Sequence, residues 1–426
     1  MMFERMRLPI VTAAVLMVTG CATISGTPAP GEIDVRTLDV GKYSIEPIDT
    51  YQDYGHSIDR GRTLAVMRLS DNVVTGLDID PILKYGTGVQ EITDINDPTY
   101  KDPYHLEKVL SQAGSDAAQR NGAIFGFASG SSDTVPVDSS VQPPGVRVTV
   151  TVLQFLDSTA AKNAAAEIDS ADFDVAKEEN RSVALQKYPA AHAHWRPGTP
   201  TLGATIAHGQ YIVNVFASTM EADLTALTGW AEKAFAAQLP LLDTLSPLSP
   251  EQMQRLEPDM DMMRRALAPL KTGVPMMGTS ASQSMRGFLH WQKDREAARQ
   301  LYSAASVDRF ALVDAYTGTY ETGKGNAFAF TKGIGRSLDG LIIARAGDER
   351  SAQSLWEEIL DAPSDASKNP AGVPDVKCAD QPAHGSVNQF ACAVRYRRYV
   401  VLAWGAQLVD LQQRTAAQYA LLANSY

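Results

Sequence analysis

The chain has 426 residues, of which 44% are hydrophobic and 20% charged, and its formal net charge is −11 at pH 7. This length, less the signal peptide described below, corresponds to two or three domains. The apolar fraction suffices for sizeable cores and argues against a disordered chain. The acidic balance argues against nucleic-acid binding, because contacts with phosphate groups require clusters of Lys and Arg.

Residues 1–20 have the pattern of a signal peptide. Two basic residues, Arg5 and Arg7, precede an apolar run that is shorter than the roughly 20 residues needed to span a bilayer. The run ends in Val-Thr-Gly-Cys, which resembles the lipobox of bacterial lipoproteins. The resemblance implies that Cys21 becomes the first mature residue and carries a thioether-linked diacylglycerol. A plain secretory signal, in which Cys21 is incidental, is the alternative.

Residues 21–31 are small and rich in Pro and Gly, which predicts a flexible lipidated tether. Two acyl chains give stable membrane attachment, because each buried methylene contributes about 0.8 kcal/mol. We therefore expect an exported protein on the outer face of the cytoplasmic membrane. Its first partner is then the membrane itself, through the lipid anchor.

The rest of the chain predicts an N-terminal α+β domain, a proline-interrupted linker and a C-terminal α+β domain, which are residues 32–245, 246–258 and 259–426. In the first domain, alternating valines over residues 146–152 predict a strand, and Asp157 precedes an alanine-rich stripe that predicts a helix. Further strands over 192–195, 202–207 and 211–217 and a helix over 221–239 follow. Residues 129–145 are rich in Ser, Pro and Gly, which predicts an exposed loop.

The C-terminal domain repeats the order of the N-terminal one. When Asp157 is set against Asp348, the apolar helical positions that follow them coincide, and later residues 210–213 align with residues 398–401. We infer an α+β protein of two related halves, each an antiparallel sheet with helices packed on one face. The alternative is that any two α+β segments can be aligned this loosely.

Two cysteines, Cys378 and Cys392, remain once Cys21 is assigned to the lipid anchor. In an oxidising compartment an even remainder favours a disulfide. The loop that it would close, about 15 residues, is worth on the order of 3 kcal/mol in the chain-entropy description. A pair of reactive or metal-binding thiols is the alternative, which the absence of a nearby CxxC disfavours.

Two resemblances to known families follow from longer segments. The lipobox, the segment GEIDVRTLDVG, the segment HWRPGTPTLGA and the order of the second half resemble a family of actinobacterial envelope lipoproteins of unknown function. Separately, Cys378 and Cys392 ahead of RYRRYVVLAWG resemble the disulfide-bearing sensor domains outside some actinobacterial serine/threonine kinases. The second resemblance covers only the last third of the chain and implies a recognition role outside the cytoplasm.

Catalytic motifs are not evident in the chain. GxSxG, HExxH and SxxK are not found in a supporting context, and Ser129 stands in Gly-Phe-Ala-Ser-Gly, which has the wrong spacing for a nucleophile elbow. A catalytic triad is defined by geometry rather than by order in the sequence. An envelope hydrolase with a non-sequential Ser/His/acid site is therefore the alternative function.

His192, His194 and Trp195 form the first candidate ligand-binding group. On a predicted strand the two imidazoles share a face, so they can contact one ligand. A metal site is disfavoured, since zinc usually needs three or four ligands and no acidic or sulfur residue is close in the sequence. The alternative is the polar edge of a strand with a buried tryptophan.

Arg395 and Arg397 form the second candidate group, on one face of a predicted strand where they can bind a carboxylate or phosphate. Solvated charges on a strand are the alternative. A loose group of methionines around His290, over residues 260–285, suits Cu(I) binding or the filling of irregular core gaps, and the second is the commoner use.

The sequence thus favours a non-enzymatic binding or scaffold module of the cell envelope. Its expected partner is a small molecule, lipid, glycan or protein, and neither a cofactor nor a metal is expected. Whether the protein catalyses a reaction stays open, and the catalytic alternative is the envelope hydrolase.

Overall fold

The computed structural model describes residues 32–49, 55–93, 95, 106–136, 145–267, 280–313, 339–360, 362–384 and 387–426. The predicted signal peptide, Cys21 and the tether lie outside these residues. The chain divides at Asp34, and Val35–Tyr426 form one compact unit. Within the described part, no helix combines the length and the apolarity that a membrane crossing requires.

The first half contains a seven-stranded antiparallel sheet, counted over the described residues. Its strands are β1 (Tyr85–Ile92), β2 (Ala123–Ser132), β3 (Arg147–Phe155), β4 (Arg181–Ser182), β5 (His192–Trp195), β6 (Thr201–His208) and β7 (Tyr211–Ser218). Its helices are α1 (Ile58–Ser70), α2 (Gly76–Ile79), α3 (Gln112–Arg120), α4 (Ser158–Asp174) and α5 (Leu224–Asp243). Two short helices, α6 (Pro250–Gln254) and α7 (Met260–Met263), connect it to the second half.

The second half contains a six-stranded antiparallel sheet over the same described part of the chain. Its strands are β8 (Ser280–Gln283), β9 (Arg309–Val313), β10 (Gly340–Arg345), β11 (Val376–His384), β12 (Val387–Tyr396) and β13 (Tyr399–Gly405). Its helices are α8 (Met285–His290), α9 (Arg295–Ala304), α10 (Glu349–Glu358) and α11 (Leu408–Asn424). The predicted α+β class and the two related halves are therefore confirmed.

Six strands follow the same order in the two sheets, and β4 of the first sheet has no counterpart among the described residues of the second. The first runs β1-β2-β3-β7-β6-β5-β4, and the second, taken from its other edge, runs β8-β9-β10-β13-β12-β11. Both central hairpins close over two residues, so Tyr211 of the first half corresponds to Tyr399 of the second. Pairing along the ladders then assigns equivalents in the second half to residues of the corresponding strands. The same register sets Asp157 against Asp348, and each caps its helix, with its carboxylate accepting a hydrogen bond from a backbone amide.

Helices cover both faces of each sheet, rather than the one face expected from the sequence. In the first half, α1 and α5 cover one face and α3 and α4 the other. In the second half, α8, α9 and α10 cover one face, and α11 packs on β12 and β13 from the other. Central strands accordingly bury both of their faces, as the neighbours Val152 and Leu153 show.

Residues 129–132 depart from the loop expected there. They continue β2, and Ser129 and Ser131 are each only 2% exposed. The composition of this segment is that of a loop, but the hydroxyls of Ser129 and Ser131 accept hydrogen bonds from Arg295 of α9, a residue that the sequence does not place nearby. Tertiary contact therefore decides the local structure here.

Arg295 is buried where the two halves meet. Its guanidinium donates five hydrogen bonds, all to neutral oxygens: the Leu289, Gly130 and His290 carbonyls and the Ser129 and Ser131 hydroxyls. Burial lowers its pKa to about 9, so the side chain is still a cation at neutral pH. The contacts join α9 of the second half to β2 of the first.

His290 lies beside Arg295 and is equally buried. Its Nε2 faces the carbonyl oxygens of Ser70 and Val73 at 3.0 and 3.1 Å, so Nε2 carries the proton and donates. Its Nδ1 then accepts from the Ser129 hydroxyl at 2.8 Å. Burial and the charge of Arg295 lower the pKa of His290 to about 3, which keeps the imidazole neutral.

Cys378 and Cys392 form the predicted disulfide. They are directly opposite each other on β11 and β12, with their Cα atoms 4.0 Å apart, and both are fully buried. The register assigns Ala193 and Ala204 as their equivalents in the first half, which are also a buried cross-strand pair. The architecture therefore accepts alanine at both positions.

Replacing both Cys378 and Cys392 by alanine should leave the fold intact and lower the free energy of unfolding by roughly 2–3 kcal/mol, because the unfolded chain is no longer cross-linked. Urea unfolding of the two chains measures the difference. Adding a reductant should shift the wild-type midpoint and leave that of the double variant in place. A wild-type midpoint insensitive to reductant would contradict a stabilising role for this bond.

Candidate functional site

A cavity of about 220 Å³ lies in the first half, between α4 and the sheet. Its walls come from the end of α4, from the segment before α3 and from strands β5, β6 and β7. The lining residues are Val109, Leu110, Ser111, Ile168, Asp169, Asp172, His194, Gly203, Thr205, Asn214 and Phe216. The cavity thus combines apolar walls with a group of polar side chains, as ligand sites generally do.

The last turns of α4 carry the acidic residues of the cavity. The first part of the helix buries its alanines and Ile168 against the sheet. Asp169 and Asp172 follow, and because they are three residues apart they lie on one side of the helix. Both therefore point toward β5, which passes beneath this end of α4.

His194 of β5 binds both aspartates. Its Nδ1 is 2.7 Å from Asp169 Oδ1, and its Nε2 is 3.3 Å from Asp172 Oδ2. A carboxylate only accepts hydrogen bonds, so both ring nitrogens donate and the ring is an imidazolium. Phe173 also contacts the ring edge to face, at 5.8 Å between centroids.

The electrostatics agree with this protonation state. Burial acts to lower the pKa of His194, but the hydrogen bonds to Asp169 and Asp172 outweigh it and raise the pKa to about 9. Burial of Asp172 acts to raise its pKa, and the hydrogen bonds from His194 and Ser111 hold it below its usual range. At neutral pH the cavity therefore holds two carboxylates and one imidazolium, and so one net negative charge.

A polar row crosses the sheet beside the cavity, and two of its members, Thr205 and Asn214, line the cavity. Asn214 Nδ2 donates to Thr205 Oγ1 at 2.8 Å, and Thr151 is the cross-strand neighbour of Asn214. Thr151 is 1% exposed, and its hydroxyl has no hydrogen-bond partner among the described atoms. A buried hydroxyl in this state costs free energy that an apolar side chain of similar size would not.

The second half shows how this part of the fold packs without polar groups. The equivalents of Thr151, Asn214 and Thr205 are Ile342, Leu402 and Ala393, all in the apolar core. In the same way Ala379 stands in the place of His194. The duplicated architecture therefore does not require the polar side chains of the first half.

Helix length differs between the halves at the same place. α4 runs to Asp174, whereas α10, which begins at the equivalent residue, ends at Glu358, the counterpart of Glu167. The additional turns are those that carry Asp169 and Asp172. The cavity is thus made by features that only the first half possesses.

Of the three residues predicted to form this ligand-binding group, only His194 lines the cavity. His192 is on the same strand face but exposed, and it does not line the cavity. Trp195 points to the opposite face, where it packs against the core and donates from Nε1 to the Thr199 carbonyl at 2.7 Å. Over the described residues, no group of three or more His, Cys, Asp or Glu side chains is arranged to hold a metal ion.

Arg395 and Arg397 lie in the other half and do not share a strand face. Arg395 ends near Asp375, with which its guanidinium forms an ion pair. Arg397 is in the two-residue turn after β12, with a φ of 49°, at the position equivalent to Gly209. Its guanidinium stacks over Tyr426, 4.1 Å from the ring centre. A continuous strand was expected here, because the alternation of Arg and Tyr gives no signal for the turn at residues 397–398.

The remaining candidate residues that the structure describes are engaged in contacts within the protein core. Ser129 and His290 make the Ser–His hydrogen bond described above, but both are buried, and carbonyl oxygens stand where a triad would have its acid. Met262 and Met263 fill core space. Met276 and Met277 lie outside the described residues.

A second cavity, of about 260 Å³, opens where the halves meet. Its central cation, Arg309, binds Asp71 at 3.2 Å, Asp259 at 2.9 Å and Ser282 at 3.1 Å. Asp71 and Asp259 share the Arg309 guanidinium, so this cation is already engaged by carboxylates of the protein. The cavity beside His194 is the better candidate, because its polar lining residues Thr205 and Asn214 replace residues that are apolar at the equivalent positions of the second half.

Asp169, Asp172, Thr205 and Asn214 are site residues that the sequence did not indicate. One signal for them was present, since the alignment of residues 210–213 with 398–401, continued by one position, sets Asn214 against Leu402. When a core strand is repeated and one copy has a polar residue where the other has an apolar one, the polar residue is not there to fill the core.

Family comparisons agree with the division into halves. The N-terminal model of a family described as a domain of unknown function, DUF7373, matches residues 52–258, and its C-terminal model matches residues 262–425. No curated protein matches the chain.

Proposed function

The chain belongs to the DUF7373 family, and from its sequence together with the structure we propose that it is a lipid-anchored, non-enzymatic binding module of the cell envelope that takes a small ligand in the cavity beside His194. This cavity, here called the His194 pocket, comprises the lining residues given above. The sequence allowed a small molecule, lipid, glycan or protein as the partner, and of these the cavity suits a small molecule.

The main support for this proposal is the difference in core residues between the two halves. At equivalent positions the second half buries Ile342, Leu402 and Ala393, which are typical core residues. The first half keeps a polar row, a charged His–Asp group and open space at the same place. Polar burial of this kind lowers stability, so its presence in one copy is explained most simply by ligand binding.

Gly203 offers a direct test, because it lines the pocket and a Cβ at its position would meet nothing within 4 Å. Gly203→Leu should therefore fill the pocket and leave the fold intact. The full-length protein, purified gently from its native envelope, should carry a noncovalent small mass in native mass spectrometry. The Gly203→Leu protein should lose that mass.

Gly229→Leu is the matched control, since the Cβ at this α5 position also meets nothing within 4 Å and Gly229 does not line the pocket. This variant should retain the bound mass. A wild-type protein without any bound small molecule, or one whose bound mass survives Gly203→Leu, would overturn the proposed pocket.

Cys21→Ser should move the protein from the membrane fraction to the soluble fraction, because the serine cannot receive the thioether-linked diacylglycerol that the lipobox resemblance implies. Cell fractionation followed by immunoblotting measures this. Cys378→Ala together with Cys392→Ala is the matched control and should stay in the membrane fraction. Membrane association that persists in Cys21→Ser would refute the lipid anchor.

A further inference from the structure

We propose that the ligand of the His194 pocket is a small organic cation, bound through its ammonium group by Asp172 with Asp169 and His194 behind it. The inference rests on the proposed function and adds the chemical class of the ligand. It follows from charge, from hydrogen-bonding capacity and from size.

Charge is the first consideration. Two carboxylates and one imidazolium leave one negative charge in a half-enclosed cavity, next to the C-terminal end of α4, whose backbone carbonyls add partial negative charge. No basic residue is present in the last turn of α4. A charge that is partly removed from water without a counter-ion is unfavourable, and a bound cation would supply that counter-ion.

Hydrogen-bonding capacity favours a donor ligand. Asp172 is the more open carboxylate, with its side chain 43% exposed against 18% for Asp169. Asn214 uses its amide nitrogen on Thr205, which leaves its amide oxygen to accept. An ammonium group has three donors and no acceptor, so it suits such a wall better than an anion does.

A metal ion suits the pocket less well than an organic cation. A histidine ligand must be neutral, whereas His194 donates from both nitrogens. Val109, Leu110, Ile168 and Phe216 supply apolar walls that only a ligand with carbon would use. The volume is below the roughly 300–1,000 Å³ of cavities for drug-sized ligands, which indicates a small compound.

The test uses three probes of similar size and different charge: pentylammonium, 1-pentanol and pentanoate. Each is titrated into the full-length protein, freed of co-purified ligand, and binding is followed by saturation-transfer NMR. Pentylammonium should bind at least about tenfold more tightly than 1-pentanol, the ratio expected for one favourable charge contact of about 1.4 kcal/mol. Pentanoate should not bind.

Asp172→Asn should weaken pentylammonium binding about tenfold and leave 1-pentanol unaffected. Asp174→Asn is the matched control, because it removes a carboxylate from the same end of α4 outside the pocket lining. Equal binding of the three probes, or preference for pentanoate, would overturn the cation assignment and leave the pocket standing. Absence of any bound mass in the native protein would instead count against the proposed function itself.

Discussion

Arg295→Ala should lower the free energy of unfolding by roughly 3–5 kcal/mol. The change empties a large, fully buried site and removes the donor from five oxygens, three of them backbone carbonyls. Relief of the buried charge offsets part of the loss, since burial disfavours the cation. The lost donors and the cavity outweigh this gain, because the guanidinium is fully hydrogen-bonded.

Arg299→Ala is the control for this experiment. Arg299 is on the same helix, four residues later, and its ion pair with Glu296 is at the surface. Its removal should cost no more than about 0.5 kcal/mol. Urea unfolding followed by circular dichroism gives both values, and a similar small loss for Arg295→Ala and Arg299→Ala would show that Arg295 does not hold the halves together.

Protonation of His290 should make the protein sensitive to mild acid. The pKa of this imidazole is about 3 in the folded protein and about 6.5 in the unfolded chain. Its contribution to stability is therefore complete above pH 6.5 and is lost as the pH falls toward 3, by roughly 1.4 kcal/mol for each pH unit. The unfolded state takes up the proton, whereas burial and the charge of Arg295 disfavour the imidazolium in the folded state.

His290→Gln isolates this effect, because the glutamine amide can donate to the Ser70 and Val73 carbonyls and does not titrate. The variant should be less stable at pH 7, where its contact with Ser129 is weaker. The difference between the two proteins should then shrink as the pH is lowered from 6.5 to 4. Unfolding free energies that stay parallel over this range would mean that His290 is not the acid-sensitive group.

Much of the architecture was predictable from local pattern. The alternating valines of β3, the capping residues Asp157 and Asp348 and the paired cysteines each depend on neighbours close in the sequence or directly across a hairpin. The repeat was visible because the same local signals recur in the same order. The second covering layer of helices was not, since burial on both faces depends on which segments fold back over the sheet.

The candidate site was predictable only in part. His194 was identified as chemically notable, yet its two partners are far from it in the chain, Asp169 by 25 residues. Ser129 and Ser131 were assigned to a loop because their composition is polar, and only the approach of Arg295 makes them core. Contacts of this kind arise when helices dock on the sheet, so periodicity and capping rules do not contain them.

The unequal cores of the duplicated halves have a consequence for motion. One face of β6 and β7 borders the His194 pocket, next to Thr151 of β3, whose hydroxyl is unpaired within the described part of the chain. The corresponding face of β12 and β13 packs against apolar side chains. Local opening should therefore be easier in the first pair of strands, and hydrogen exchange faster. Occupation of the His194 pocket would slow exchange in that pair alone, so that one copy of the unit responds to its surroundings while the other keeps a constant shape.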